Sequence, residues 1–410
     1  MTFEFNQIGR KGTRGPLDGI RIIDMTTVLF GPYCTLLLGD MGADVIKVES
    51  LEGDNTRSIG PSRHPGMAAM FLGLNRNKRS ISVDLKQPQG RKIVMDLAKD
   101  ADVFLSNVRP KALQRLGLCY ADLRESNPGI VYCNAVGYGQ KGPYADYPAF
   151  DDTIQAMSGT AALQAEFSGE PQYAATALAD KSTGLMLALA IVSAVRNAEK
   201  TGAGQVVEVP LFETMVSFNL VEHLFGSVFV PALSEPKYPR VISPFRKPYK
   251  TQDGYLAVMP YNDGQWRRFF CVIGRADMAS DERFGDMAAR TRNIDALYQM
   301  LATAVEEKTS SEWLELLQSN DIPAVPVKGL GELLDDPQLA ASGFFAPEHH
   351  PSEGELLCVP SPIAFSATPA ALRRHAPRLG EHSVEILAQL GYGQSAIDSL
   401  KASGTIKDAA

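Results

Sequence analysis

Ile20-Arg-Ile-Ile-Asp-Met-Thr-Thr-Val-Leu-Phe-Gly-Pro-Tyr-Cys-Thr-Leu-Leu-Leu-Gly-Asp-Met-Gly-Ala-Asp-Val-Ile-Lys-Val-Glu49 decides the fold of this chain. The run from Ile20 to Met25 reads as a short strand. Gly31-Pro32 then opens a helix that continues through Leu38, because proline pre-sets a helical φ and its missing N–H is not needed in a first turn. Met41-Gly-Ala43 closes the helix, and Asp44 to Glu49 reads as a second strand. Strand, helix and strand at this spacing make a βαβ unit, whose two strands must lie parallel. The pattern repeats downstream: Ser80-Ile-Ser-Val-Asp84 is a strand, Pro88 to Ala98 a helix, and Asp102-Val-Phe-Leu-Ser106 and Ile130-Val-Tyr-Cys133 are further strands. The expected class is therefore α/β, with a doubly wound sheet. The first turn lacks G-x-G-x-x-G, which argues against a dinucleotide fingerprint.

The texture changes near Pro239. Thr251-Gln-Asp-Gly-Tyr-Leu-Ala-Val-Met259 carries an Asp-Gly turn between strand-like runs. Helical patterns follow at Gln265 to Ile273, Ile294 to Glu307 and Ser311 to Ser319, then Pro323-Ala-Val-Pro-Val327, which together suggest a smaller α+β module. Beyond Pro347 the chain is rich in Pro and Gly until Gly380-Glu-His-Ser383 opens another helix. Charged runs such as Arg290-Thr-Arg292 and Glu306-Glu-Lys308 read as solvated faces.

The bulk numbers narrow the function. A chain of 410 residues, 45% hydrophobic and 21% charged, has ample material for two ordinary domains. A net charge of -7 argues against non-specific nucleic-acid binding, while leaving room for local basic clusters that take an anionic ligand. The five cysteines are scattered, with no C-x-x-C pair. That favours reduced thiols in a cytoplasmic protein over a disulfide framework or a zinc site, and no metal is expected. The beginning has no signal-peptide pattern, and no uncharged apolar run reaches the ~18 residues of a membrane span. A soluble protein with no membrane partner is expected.

Ala177-Leu-Ala-Asp180-Lys-Ser-Thr-Gly184 feeds into Leu185-Met-Leu-Ala-Leu-Ala-Ile-Val-Ser-Ala-Val195, a helix apolar on nearly every side and so expected to be buried all round. Asp180 sits at its amino end. Two readings stand at this point: an N-cap that satisfies free N–H groups, or a carboxylate presented to a substrate.

Three further clusters bear on the choice. The first is Gly31-Pro32 with Asp40 to Glu49 and Gly53-Asp54-Asn-Thr-Arg57. The second is Leu74-Asn-Arg-Asn-Lys-Arg-Ser80 with Val83-Asp-Leu-Lys86. The third is Ala101-Asp-Val-Phe-Leu-Ser-Asn107-Val-Arg-Pro-Lys111-Ala-Leu-Gln-Arg115-Leu-Gly117. Gly137-Tyr-Gly-Gln-Lys-Gly-Pro143, Phe150-Asp151 and Pro377-Arg-Leu-Gly-Glu-His382 support them. In this order the motifs resemble the family III CoA-transferases, the formyl-CoA transferase and carnitine/bile-acid CoA-transferase group, from about Pro16 to Ile406. The resemblance implies an interlocked homodimer. Its Rossmann-like large domain comes from both chain ends (residues 1–225 and 346–410), with a linker and small α+β domain at 226–345. It also implies that Asp180 is the nucleophile and that Val28, Arg76, Lys78, Arg79, Lys86, Asn107 and Arg115 contact CoA. No cofactor is bound permanently; CoA arrives and leaves as part of acyl-CoA. Phosphates call for Arg, Lys or exposed backbone N–H groups, and the two basic clusters contain them.

An aspartate of ordinary pKa is ionised at neutral pH and needs no general base. The implied chemistry runs through an aspartyl anhydride and an aspartyl-CoA thioester, with backbone N–H groups near Gly31 and in the Asn262-Asp-Gly-Gln265 turn as candidate oxyanion donors. Leu29 stands where formyl-CoA transferases carry glutamine, and Met259-Pro-Tyr-Asn-Asp-Gly264 replaces their tetraglycine loop, so oxalate/formate exchange is not expected. Leu29 and Tyr261 suggest an apolar side to the acyl pocket. The alternative is an acyl-CoA isomerase, by racemisation or an intramolecular CoA shift. The related racemases place a histidine at the position of Phe150, and phenylalanine cannot abstract a proton. His223, Glu213 and Asp152 read as structural.

Overall fold

The computed structural model describes residues 14–409, which divide into two compact units. One takes the described residues up to Met157, Thr176–Met215 and Asp336 onward; the other takes Ser158–Ala175 and Val216–Asp335.

The first unit is built on a seven-stranded sheet. Its strands are β1 (Arg21–Met25), β2 (Asp44–Glu49), β3 (Lys78–Val83), β4 (Val103–Ser106), β5 (Val131–Val136), β6 (Val206–Pro210) and β7 (Ile406–Lys407). Their spatial order is β7-β3-β2-β1-β4-β5-β6, parallel throughout except for the antiparallel β7. Strand order reverses between β1 and β4. In open sheets of this kind the crevice at the carboxyl ends of those two strands is where ligands bind.

Helices cover both faces. On one face α1 (Phe30–Asp40) and α5 (Leu178–Thr201) pack with Ile22, Val103, Leu105 and Cys133 of the sheet. On the other, α2 (Pro88–Lys99) and α3 (Pro110–Leu116), with the carboxyl-terminal helices, cover Ile23, Ile46, Ile81 and Phe104. Gly184 lets α5 approach α1: a Cβ there would lie 3.0 Å from the Phe30 carbonyl oxygen. The far end of α5 reaches Asn127 and Asp102 at the amino edge of the sheet. Its first turn therefore lies at the carboxyl edge, on the side of the crevice.

α5 departs from the expectation of burial all round. Ala179, Thr183, Leu187, Ile191 and Val195 face the core, whereas Leu185, Met186 and Leu189 are exposed, Leu189 by 63%. It is also the one helix among the described residues long and apolar enough, by length and composition, to cross a membrane. Half of a 3.6-residue repeat suffices for the core contact, so the composition of the other half is free to serve something else. Absent from the sequence reading is the antiparallel hairpin of Ala346–His350 and Gly354–Cys358.

The second unit has a three-stranded antiparallel sheet, Tyr249–Lys250, Tyr255–Val258 and Ala324–Pro326, covered by helices Asp263–Val272, Ile294–Val305 and Ser310–Ser319. Trp266, Phe269, Leu297, Leu301 and Trp313 form its core, and the Trp313 indole N–H donates to the Val305 carbonyl at 2.8 Å. Arg290 is not on a solvated face. It is buried, donates to the Phe284 carbonyl and pairs with Asp263, because an internal guanidinium needs acceptors.

Candidate active site

The β1–α1 connection, Thr26-Thr27-Val28-Leu29, crosses the crevice at the strand-order reversal. Val28 has φ of 70°, a left-handed conformation that costs a β-branched residue about 1–3 kcal/mol. Separate side chains hold each residue around it. The buried Lys47 ammonium donates to the Thr26 carbonyl at 2.8 Å, and Asp24 accepts from the Thr26 N–H at 2.9 Å. Asn107, just past β4, accepts from the Thr27 N–H at 3.2 Å and donates back to its carbonyl at 3.0 Å. Asp54 accepts from the Val28 N–H at 3.3 Å. The fold-back is so tight that a Cβ on Gly31 would lie 2.3 Å from the Thr26 side chain, which only glycine avoids.

Beside this connection lies a cavity of about 400 Å³, lined by Met25, Thr27, Val48, residues 49–54, Leu85, Lys86, Val108 and Leu116. Its walls are mostly apolar, with the exposed Lys86 at the edge. Arg115 is exposed on α3 beside the lining Leu116, and donates to the Lys111 carbonyl one turn back. The structure thus brings Val28, Asn107 and Lys86 to one crevice edge and puts Arg115 on the adjoining helix.

Arg76, Lys78 and Arg79 stand elsewhere. Arg76 forks both carboxylate oxygens of Asp40, at 2.9 and 2.5 Å, and donates to the Val359 carbonyl. Lys78, fully buried, donates to Pro32 and Asn75 oxygens at 3.0 Å and faces Asp24 at 3.4 Å. Burial pulls its ammonium down to about 8, against the pull of Asp24. Arg79 forks Asp44 and also reaches Glu385 and Gln389. All three are more than nine-tenths buried. A buried strand carrying cations must pair each of them internally, so this cluster does not present the open phosphate-binding face that was expected.

Asp180 lies in the first turn of α5 and is partly buried. It is not the N-cap: Ala177 holds that position without a side-chain bond. The capping acceptor comes from Asp151, at the start of α4 (Asp151–Met157), whose carboxylate takes the Asp180 N–H at 2.9 Å. Gln155 donates to the second Asp151 oxygen at 2.5 Å. Among the described residues no donor is bonded to the Asp180 carboxylate itself. Burial first, and then the charges of Asp151 and Asp152, push its pKa up to about 7 rather than leaving it at an ordinary carboxylate value. Thr183, one turn further, has a buried hydroxyl with no hydrogen-bond partner among the described residues.

The remaining residues divide as follows. Leu29 is buried rather than open to the crevice. Glu213 accepts twice from the Gly139 N–H, and buried His223 accepts from the Tyr238 N–H, both holding backbone. Tyr261 is exposed, with the Arg240 guanidinium 5.1 Å from its ring centre. Within the Asn262–Gln265 turn two N–H groups, those of Asn262 and Gln265, are already engaged, which leaves Asp263 and Gly264 as its candidate donors. A reciprocal capping box bonds the Gln265 N–H to Asn262 and the Tyr261 and Asn262 N–H groups to Gln265. Sequence reasoning passed over Asp151, Lys47 and Asp54 as functional candidates. The acidic pair Asp151-Asp152 at a helix start was the available signal for the first.

A family model for CoA-transferase family III matches residues 17–383. The succinate–glutarate CoA-transferase of Agrobacterium fabrum is 36% identical over 384 residues, covering 92% of this chain and 96% of that protein. The (R)-2-hydroxy-4-methylpentanoate CoA-transferase of Clostridioides difficile is 31% identical, covering 95% and 99% of the two chains. Among solved structures, a CAIB/BAIF family protein from Brucella suis superposes with a TM-score of 0.77 at 34% identity, covering 92% of this chain and all of that one. The chain belongs to CoA-transferase family III and is a transferase enzyme.

Proposed function

We propose that this family III CoA-transferase moves CoA from an acyl-CoA to a free carboxylic acid with Asp180 as its nucleophile. The observation that carries the reading is the Asp180 carboxylate at the carboxyl edge of the sheet, held through its backbone N–H by Asp151 and with neither oxygen bonded among the described residues. The ionised carboxylate attacks the donor thioester carbonyl; the C–S bond breaks, giving a mixed anhydride and CoA thiolate. The thiolate attacks the aspartyl carbonyl, releasing the donor acid and leaving an aspartyl-CoA thioester. The acceptor carboxylate attacks that thioester, the thiolate leaves again, and its attack on the acceptor acyl carbonyl yields the new acyl-CoA and regenerates Asp180. No proton need be abstracted from carbon, which suits the exposed Phe150 where an isomerase would need a base. N–H groups near Gly31 remain the proposed oxyanion donors.

CoA is placed in the crevice, with Val28, Asn107, Lys86 and Arg115 as contacts. Arg76, Lys78 and Arg79 are spent inside the fold instead, on Asp40, Asp24 and Asp44. Succinyl-CoA and short dicarboxylic acids are the first substrates proposed, from the activity named for the Agrobacterium relative. A homodimer, interlocked as the resemblance implies, would cover the exposed Leu185, Met186 and Leu189 of α5. The five free thiols suit a reducing, cytoplasmic setting. The test is trapping: enzyme with succinyl-CoA and hydroxylamine should give a hydroxamate at Asp180 by peptide mass spectrometry, and [18O]-labelled acceptor should pass label into the released donor acid. Deuterium incorporation at the α-carbon without label transfer would reject the reading.

A further inference from the structure

Gly53-Asp54-Asn-Thr-Arg57 takes no part in the chemistry above, yet its aspartate is 2% exposed and fully engaged. One Asp54 oxygen accepts from the Val28 N–H, the Thr56 N–H at 2.9 Å and the Thr56 hydroxyl at 2.8 Å. The other takes the Lys47 ammonium at 2.9 Å, and that ammonium also holds the Thr26 carbonyl. Lys47 and Asp54 are both completely buried at their side chains, a costly arrangement unless both ions are fully used. Here the ion pair closes a path from β2 to the one β-branched residue with positive φ beside the crevice. Strain of this kind persists only where surrounding structure over-determines it, and it concentrates at ligand-binding positions. Arg57 fixes the loop from behind, forking Glu49 at 2.8 and 2.7 Å and lying 3.7 Å over the Phe71 ring.

We propose that Asp54, seated by Lys47, is a positioning residue that holds Val28 in its left-handed conformation and so shapes the crevice for acyl-CoA. This rests on the placement of CoA at Val28. Without the Asp54 acceptor the Val28 peptide relaxes toward negative φ, and acyl-CoA must restore it on binding. The loss then falls on the KM for acyl-CoA, with kcat for bound substrate changed less.

The test compares Asp54→Ala and Asp54→Glu in the wild-type and Val28→Gly backgrounds, with succinyl-CoA as donor. Glutamate keeps the charge facing Lys47 while displacing the acceptor from the Val28 N–H, so it remains informative if the alanine variant does not fold. In the wild-type background each should raise the acyl-CoA KM about tenfold with kcat within about threefold. In the Val28→Gly background the same changes should alter KM by less than about twofold, because glycine takes positive φ without cost and no longer needs the hold. An unchanged KM, or the same factor in both backgrounds, would overturn the proposal and leave Asp54 as a support of the fold. Lys86→Ala, run alongside, reports the CoA placement separately: an unchanged acyl-CoA KM there rejects the placement itself, whatever Asp54 does.

Discussion

Asp151→Asn should make the enzyme faster in acid. In the folded chain the Asp180 carboxyl titrates at about 7, first because it is buried and then because Asp151 and Asp152 repel its charge. Asparagine keeps an oxygen in place for the Asp180 N–H, now accepted at 2.9 Å, and removes only the charge that repels Asp180 the more strongly of the two. Two charges about 6 Å apart at an effective dielectric of about 40 repel by roughly 1.4 kcal/mol, or about one pKa unit. Lowering the carboxyl from about 7 to about 6 raises its ionised fraction at pH 6 from about 9% to about half. The rate at pH 6 should therefore rise about fivefold, while at pH 8, where both forms are about nine-tenths ionised or more, it should hardly change. The assay is kcat/KM for succinyl-CoA between pH 5 and 9, with the dicarboxylate kept saturating at every pH. An acidic limb that stays near pH 7 in the variant would refute the assignment of that limb to Asp180. A uniform loss at every pH would show that Asp151 matters for geometry and not for charge.

Asp180→Asn should abolish transfer and also change the pH dependence of stability. A carboxyl raised on folding contributes stability that is full below its unfolded value near 4 and is lost as pH rises through about 7. The neutral variant escapes that loss, so its thermal midpoint should gain on the wild type between pH 4 and pH 8. The ceiling is about 4 kcal/mol, and partial exposure should reduce it to roughly half. Lys86→Ala and Arg115→Ala should raise the KM for acyl-CoA about ten- to a hundredfold and change the acceptor KM less, as steady-state kinetics with each substrate varied will show. Arg76→Ala should instead unfold the protein earlier without that selective KM effect, since stranding Asp40 in the interior costs about 3–5 kcal/mol; denaturant midpoints decide it. Leu189→Arg on the exposed side of α5 should lower the thermal midpoint of the proposed homodimer, since interlocked chains cannot part without unfolding; an unchanged midpoint would mean that no partner covers that side.

The alternation of apolar runs, Gly-Pro and Met-Gly-Ala punctuation between Ile20 and Glu49 determined a parallel βαβ unit, because strand and helix periodicity and turn chemistry are local properties. The same locality put Asp180 at the amino end of an apolar helix. Strand order, and with it the crevice between β1 and β4, needed pairings between segments distant in sequence. Which cations face a ligand was equally invisible. Arg76, Lys78 and Arg79 form one basic run with the look of an anion site, yet Asp40, Asp24, Asp44 and Glu385 meet them inside the fold. Asp180 shows the same division. Its position was legible, whereas its proton affinity came from burial and from carboxylates about thirty residues earlier in the chain. Desolvation and charge repulsion act across space, so residue type alone could not set the pKa of the proposed nucleophile, and only the folded arrangement did.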